Sequence, residues 1–280
     1  MVKIISDSTC DLSPQILEDL NISIMPLTII AGDNEFKDSI DMKPIDLFRH
    51  VDVNGEKCKT AAVNVFEYQQ IFAKYANEFD AIIHVNIGSK FSACHQNAVI
   101  ASQDFSNVFV IDSKNLSSGH GHVVYDAAVM AKNGASAEEI INKIETEIPN
   151  VNTSFILDRL DYMHKGGRCS GFELFGSKLL NIKPCIQVID GEMGIGKKYR
   201  GKLDKVLEQY VSDRLSENKN LDLSKIFITH SPCDKDLASA VKEVISRYAK
   251  FEQIIEIDAG CTVCNHCGPN TLGIIYKTLG

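Results

Sequence analysis

Three short apolar runs, Val2–Ser6, Ala81–Val85 and Val108–Asp112, are each followed by a segment with helical signals. Such alternation of strand and helix leaves one simple arrangement, a parallel sheet with helices on both faces. Ser13 before Pro14 reads as a helix start. Asn64 with Glu67 three residues on has capping-box spacing, and the helix it opens carries Tyr68, Ile71, Phe72, Tyr75 and Phe79 as one apolar stripe. A further helix is predicted to open near Ser92. Another covers His122–Lys132 and stops at Asn133-Gly134, an expected carboxyl-terminal signal.

At 280 residues the chain exceeds one average domain. The pattern resets around Pro149–Thr153, which predicts two α/β domains, residues 1–150 and 151–280, with a ligand cleft between them. The first has the mainly parallel sheet flanked by helices, the second a mixed sheet with helices. Pro184–Asp190 and Met193–Tyr199 form a predicted β-hairpin turning at Asp190-Gly191. A helix then carries Leu203, Val206, Leu207, Tyr210 and Leu215, followed by a strand at Ile226–His230, a helix over Asp234–Tyr248 and a strand at Gln253–Asp258.

The formal net charge of -8 argues against a nucleic-acid partner, because neutralising phosphates needs basic surface. The amino terminus turns polar at Ser6-Asp7, too early for a signal peptide, and no stretch is apolar for long enough to span a bilayer. A soluble, cytoplasmic protein with no integral membrane segment is the expectation. Nine cysteines, an odd number in a chain this large, fit free thiols in a reducing compartment better than a disulfide framework.

Four stretches could carry chemistry. Gly191 to Lys198 nearly spells a phosphate-binding loop, but Lys198 stands where a Ser or Thr must hold magnesium, so a glycine-rich hairpin is the better reading. Ser92 and His266 could form a nucleophile–base pair, although no Gly-x-Ser-x-Gly elbow is present and spacing alone does not bring them together. Cys261, Cys264 and Cys267 have Cys-x-x-Cys-x-x-Cys spacing with His266 inside, as in iron–sulfur loops. Cys10, Cys58 or Cys94 would have to add a fourth ligand. A tight loop filled with small side chains is preferred to a metal or redox site. Finally, hydroxyl-rich segments at Asp7–Leu12, Lys59–Ala62 and Gly88–Ser92 lie at predicted strand or helix ends, where open α/β sheets bind ligands. The Ser92 hydroxyl could cap its own helix or donate outward to an anion, and the residues leave both open.

In order along the chain, several stretches resemble the DegV family. They are Asp7-Ser8-Thr9-Cys10-Asp11-Leu12, Ser89 to Gln96, Val110 to Lys114, Lys165 to Ser170, Leu180 to Pro184 and His266 to Gly273. The resemblance covers nearly the whole chain. It implies a bacterial, non-catalytic protein of two α/β domains that binds a long-chain fatty acid such as palmitate and needs no cofactor. It further implies delivery of that acid to a fatty-acid kinase, which phosphorylates the carboxylate. Thr60 matches the threonine that bonds the carboxylate, Ser92 its serine partner, and His266 the histidine beside the head group. Arg168 matches an arginine near the mouth, used with the kinase. The chain departs from the family at Thr60-Ala61-Ala62-Val63, often Thr-Ser-Gln-Pro, and at Ser89-Lys90-Phe91-Ser92, often Ser-Gly-Leu-Ser.

Overall fold

A computed structural model of the chain describes residues 1–169, 182–217 and 220–280. Ser170, Leu180 and Asn181, which belong to two of the family-like stretches, lie outside the described residues. The first half runs β1 (Val2–Asp7), α1 (Pro14–Asp19), β2 (Ser23–Met25), β3 (Thr28–Ala31), β4 (Asn34–Lys37), α2 (Pro44–Asp52) and β5 (Cys58–Ala61). It continues with α3 (Val65–Ala76), β6 (Ala81–Asn86), α4 (Cys94–Ser102), β7 (Val108–Asp112), α5 (Ser117–Lys132) and α6 (Ala137–Glu147). Then come β8 (Val151–Ile156), α7 (Asp161–Gly166), β9 (Ile182–Ile189), β10 (Glu192–Arg200) and α8 (Leu203–Glu217). The chain ends with β11 (Leu221–His230), α9 (Lys235–Tyr248), β12 (Gln253–Asp258), α10 (Cys261–Cys267) and β13 (Leu272–Thr278).

The predicted parallel sheet is present, in the order β2-β1-β6-β7 with every pairing parallel. β6 is buried along its whole length, as a strand covered on both faces must be. Asn64 and Glu67 close the capping box that opens α3, and the stripe turns Tyr68 and Phe72 inward, their rings stacked with centroids 5.9 Å apart. The second sheet is mixed, in the order β10-β9-β8-β13-β11-β12, with only β11 and β12 parallel. Its β9–β10 hairpin turns at Asp190 and Gly191, both at positive φ, as a two-residue hairpin loop requires. That turn replaces any phosphate loop at Gly191 to Lys198. An α/β fold with one parallel and one mixed sheet, both flanked by helices, is therefore borne out.

Three features depart from the sequence reading. A separate antiparallel sheet, β4-β3-β5, precedes α3. α5 starts at Ser117, five residues before the expected His122. Its first turns hold Gly119 and Gly121 because a side chain there would strike Asn115 Oδ1 at 2.6 Å and the Cys10 carbonyl, respectively. Close packing thus overrides poor helix propensity. The cysteine-rich segment is a helix, α10, and not a loop. Apolar packing joins the sheets: one cluster contains Ile5, Tyr68 and Phe72 together with Phe155, Ile186 and Met193. Among the described residues, no helix is long and apolar enough to cross a membrane.

Candidate functional site

Thr60 lies on β5, paired with Ile29 across the small sheet, while His266 lies in the last turn of α10. The fold sets Thr60 Oγ1 3.1 Å from His266 Nε2, joining residues 206 positions apart. α10 is fixed for this contact from the other half of the chain. The Gly260 N–H donates to Asp11 Oδ1 at 2.9 Å, and the Cys261 N–H donates to Asp38 Oδ1 at 2.8 Å. Two aspartate side-chain oxygens thus satisfy the first N–H groups of a short helix, where such groups otherwise lack partners.

The same contacts correct the reading of Asp7–Leu12 as ligand hydroxyls. Ser8 Oγ donates to Asp38 Oδ2 at 2.9 Å and accepts from the Leu27 N–H at 3.1 Å, and Thr9 Oγ1 donates to Asp7. Asp7 Oδ2 also accepts from the Ile87 N–H at 2.8 Å, which anchors the loop after β6. These groups position the site and bond one another.

That loop carries Ser92. Its Oγ accepts from the Cys94 N–H at 3.3 Å and rests its own proton on Cys94 Sγ, 3.2 Å away. α4 accordingly starts at Cys94, two residues after the predicted opening. Sulfur is a weak acceptor, so the hydroxyl proton is readily turned to a stronger one. Lys90, at a position where the family often has glycine, donates to the Asp190 carbonyl at 3.2 Å and to Glu192 Oε1 at 2.8 Å. It thereby ties the Ser92 loop to the tip of the β9–β10 hairpin.

Thr60, Ser92, Arg168 and His266 all line one cavity of about 250 Å³. Most of the rest of its wall is apolar, from Leu27, Ile87, Phe91 and Leu116 in the first half and Met193 and Val263 in the second. It sits beyond the carboxyl ends of β6 and β7, where open parallel sheets place ligands. A smaller void shares Leu116, Val263 and Cys267 with it. A larger groove of about 1080 Å³ opens at the amino-terminal ends of β1 and β6 and holds none of the predicted site residues.

Arg168 is exposed and forms part of the cavity rim, its Nη1 donating to the Gly166 carbonyl at 2.8 Å. Burial, aided by the Arg168 charge, pushes the His266 imidazole down to about 4, so it is neutral near pH 7. Its Nδ1 has no hydrogen-bond partner among the described residues and faces Gly166, where an added Cβ would stand 3.2 Å from the ring Cγ and closer still to Nδ1. No orienting carboxylate meets that nitrogen, and Nε2 meets Thr60 while the Ser92 hydroxyl bonds Cys94. The relay of a Ser–His hydrolase, nucleophile to base to orienting acid, is therefore not formed by these contacts.

The three α10 thiols pack as apolar groups. Cys261 Sγ donates to the Met42 carbonyl at 3.0 Å and Cys264 Sγ to the Ala259 carbonyl at 3.4 Å, while Cys267 packs with Phe91 and Leu116. Burial pushes Cys261 and Cys267 up to about 12 and Cys264 well above its ordinary value. Among the described residues, no three His, Cys, Asp or Glu side chains stand where they could hold a metal ion.

Sequence reasoning did not single out Asp11, Asp38, Gly166 or Thr262. Asp11 and Gly166 lie in family-like stretches, so a signal was present. Asp38 and Thr262 had none: Asp38 matters through its distant bond to the Cys261 N–H, and Thr262 through its place in the cavity wall.

The family model described as "Uncharacterised protein, DegV family" matches residues 1–278. A DegV domain-containing protein of Clostridium acetobutylicum is 33% identical over 277 residues, covering 98% of each chain. A fatty acid-binding protein of Thermotoga maritima is 26% identical, covering 99% of this chain and 98% of its own. Among solved structures, a DegV family protein from Thermus thermophilus, described for its fatty acid binding, superposes with a TM-score of 0.90 at 24% identity over 99% of both chains.

Proposed function

Given that the chain belongs to the DegV family, we propose that its cavity holds one long-chain fatty acid, such as palmitate, for presentation to a fatty-acid kinase. The carboxylate lies against Thr60, Ser92 and His266, and the protein itself performs no turnover. Residues 1–150 and 151–280 act as two domains closing around the ligand in the cytoplasm. Arg168, at the rim, is the contact offered to the kinase. The observation that carries this reading is the Thr60–His266 pair at one point of an otherwise mostly apolar wall.

The energetics suit such a ligand. A palmitoyl tail of about fourteen methylenes, at about 0.8 kcal/mol each, contributes roughly 11 kcal/mol gross on burial. Charge-assisted hydrogen bonds at the head group add about 1.5–3 kcal/mol apiece. The tail supplies most of the affinity, and the head group sets direction. A cavity near 250 Å³ falls just under the range of ordinary small-molecule sites, which suits one slender chain better than a bulky cofactor.

The neutral imidazole has a definite part. A buried N–H without an acceptor costs more than an unused lone pair. Since Nδ1 lacks a partner, the favoured tautomer carries its proton on Nε2 and donates it to Thr60 Oγ1. The Thr60 proton is then released toward the cavity. With the Ser92 proton it gives two donors for one carboxylate, and the Arg168 charge offsets part of the desolvation.

Denaturing the purified protein and analysing its organic extract by mass spectrometry tests the reading directly. A long-chain acid in near-stoichiometric amount is expected, with Thr60→Val and Ser92→Ala retaining less while still folded. An extract free of lipid, with no uptake of added palmitate, would refute it. Acyl phosphate made by the protein alone would refute the non-catalytic part.

A further inference from the structure

The cavity wall holds another hydroxyl that the head-group cluster does not use. Thr262, on α10 one turn ahead of His266, is 5% exposed and lines the same cavity, and its Oγ1 has no hydrogen-bond partner among the described residues. Helical threonines commonly return the hydroxyl to a carbonyl three or four residues back. Here no such bond forms, and the Ala259 carbonyl already accepts from Cys264 Sγ. Valine has nearly the same shape and would leave no polar atom unpaired in this wall, so packing gives no reason for the hydroxyl. Residues four apart on a helix have Cβ atoms about 5–6 Å apart. A carboxyl group lying against His266 therefore brings the second and third carbons of its chain within reach of Thr262.

We propose that Thr262 reads an oxygen on the acyl chain close to its carboxyl end, so the preferred occupant is a hydroxy fatty acid with its hydroxyl on the second or third carbon. This inference rests on the fatty-acid reading of the cavity and deepens it. The ligand hydroxyl and Thr262 satisfy one another inside an apolar wall. An unsubstituted chain leaves Thr262 Oγ1 unpaired.

Binding of palmitate, 2-hydroxypalmitate and 3-hydroxypalmitate to the full chain, after removal of endogenous lipid, tests this. At least one hydroxy acid should bind the wild type about fivefold to tenfold tighter than palmitate. In Thr262→Val that ratio should fall to about one, while Thr262→Ser, which keeps the hydroxyl, should preserve it. A wild type with no preference overturns the proposal without any variant having to fold. So does a Thr262→Val protein whose ratio is unchanged because both classes weaken together, since the hydroxyl then serves the carboxylate. Failure of all three acids to bind would overturn the underlying fatty-acid reading as well, which separates the two failures.

Discussion

Gly166→Ala should push the His266 ring off its bond to Thr60. Gly166 ends α7 with ordinary helical geometry, and its φ is not positive. Alanine there suits the helix, by up to about 1 kcal/mol. The new methyl, however, would stand 3.2 Å from His266 Cγ, 3.4 Å from Cβ and closer still to Nδ1. The ring must swing away, and its other side is held by Thr60 at 3.1 Å. Forcing a methyl into packed space costs about 1–3 kcal/mol, and the lost Thr60 bond adds about 0.5–1.5 kcal/mol. A net loss of about 1–3 kcal/mol in urea unfolding is expected, with about tenfold weaker palmitate binding. In a His266→Ala background the same substitution should cost almost nothing, giving a coupling energy above about 1 kcal/mol. A coupling below about 0.5 kcal/mol would show that the two residues do not meet as described, and the reasoning would be wrong.

Other outcomes follow from the same contacts. Burial pushes the Asp11 carboxyl up to about 8, whereas an unfolded chain releases that proton near pH 4. The folded state holds the proton longer, so this group lowers stability as pH rises from about 4 toward 8, by up to about 1.4 kcal/mol per unit. Asp11→Asn should remove that slope between about pH 6 and 7.5, and identical slopes in urea titrations of both proteins would contradict the assignment. The Lys90–Glu192 pair is half-exposed on both sides and worth under about 1 kcal/mol. Lys90→Ala should therefore speed fatty-acid release no more than about fivefold, and wild-type release followed by stopped flow should quicken with salt. Of nine cysteines only Cys58 and Cys233 are partly exposed. A thiol reagent at about pH 8 should label at most these two quickly, with Cys261, Cys264 and Cys267 reacting only on unfolding. Fast labelling of the α10 thiols by mass spectrometry would overturn the packing account.

Local physics was legible in the chain. The Asn64–Glu67 capping box, the Asp190-Gly191 turn and the apolar β1, β6 and β7 runs depend on neighbours a few residues away, and each stands where the pattern predicted. Ser136 and Glu139 carry the same local capping signal and open α6. Other elements depend on partners far along the chain. α5 begins early because only glycine fits against Asn115 and Cys10. α10 is a helix because Asp11 and Asp38 supply bonds to its first N–H groups. β13, last in the chain, is inserted between β8 and β11. The amino-acid order alone determined which short segments become strands and helices, and through family resemblance it singled out Thr60, Ser92, Arg168 and His266. Only the tertiary structure decided that these residues share one cavity, that the Ser8 and Thr9 hydroxyls are taken up by Asp38, Leu27 and Asp7, and that Thr262 lines the cavity with no hydrogen-bond partner among the described residues. Periodicity and capping are set over one or two turns, whereas this cavity is made by side chains more than two hundred positions apart, and nothing in their spacing encodes the distance between them.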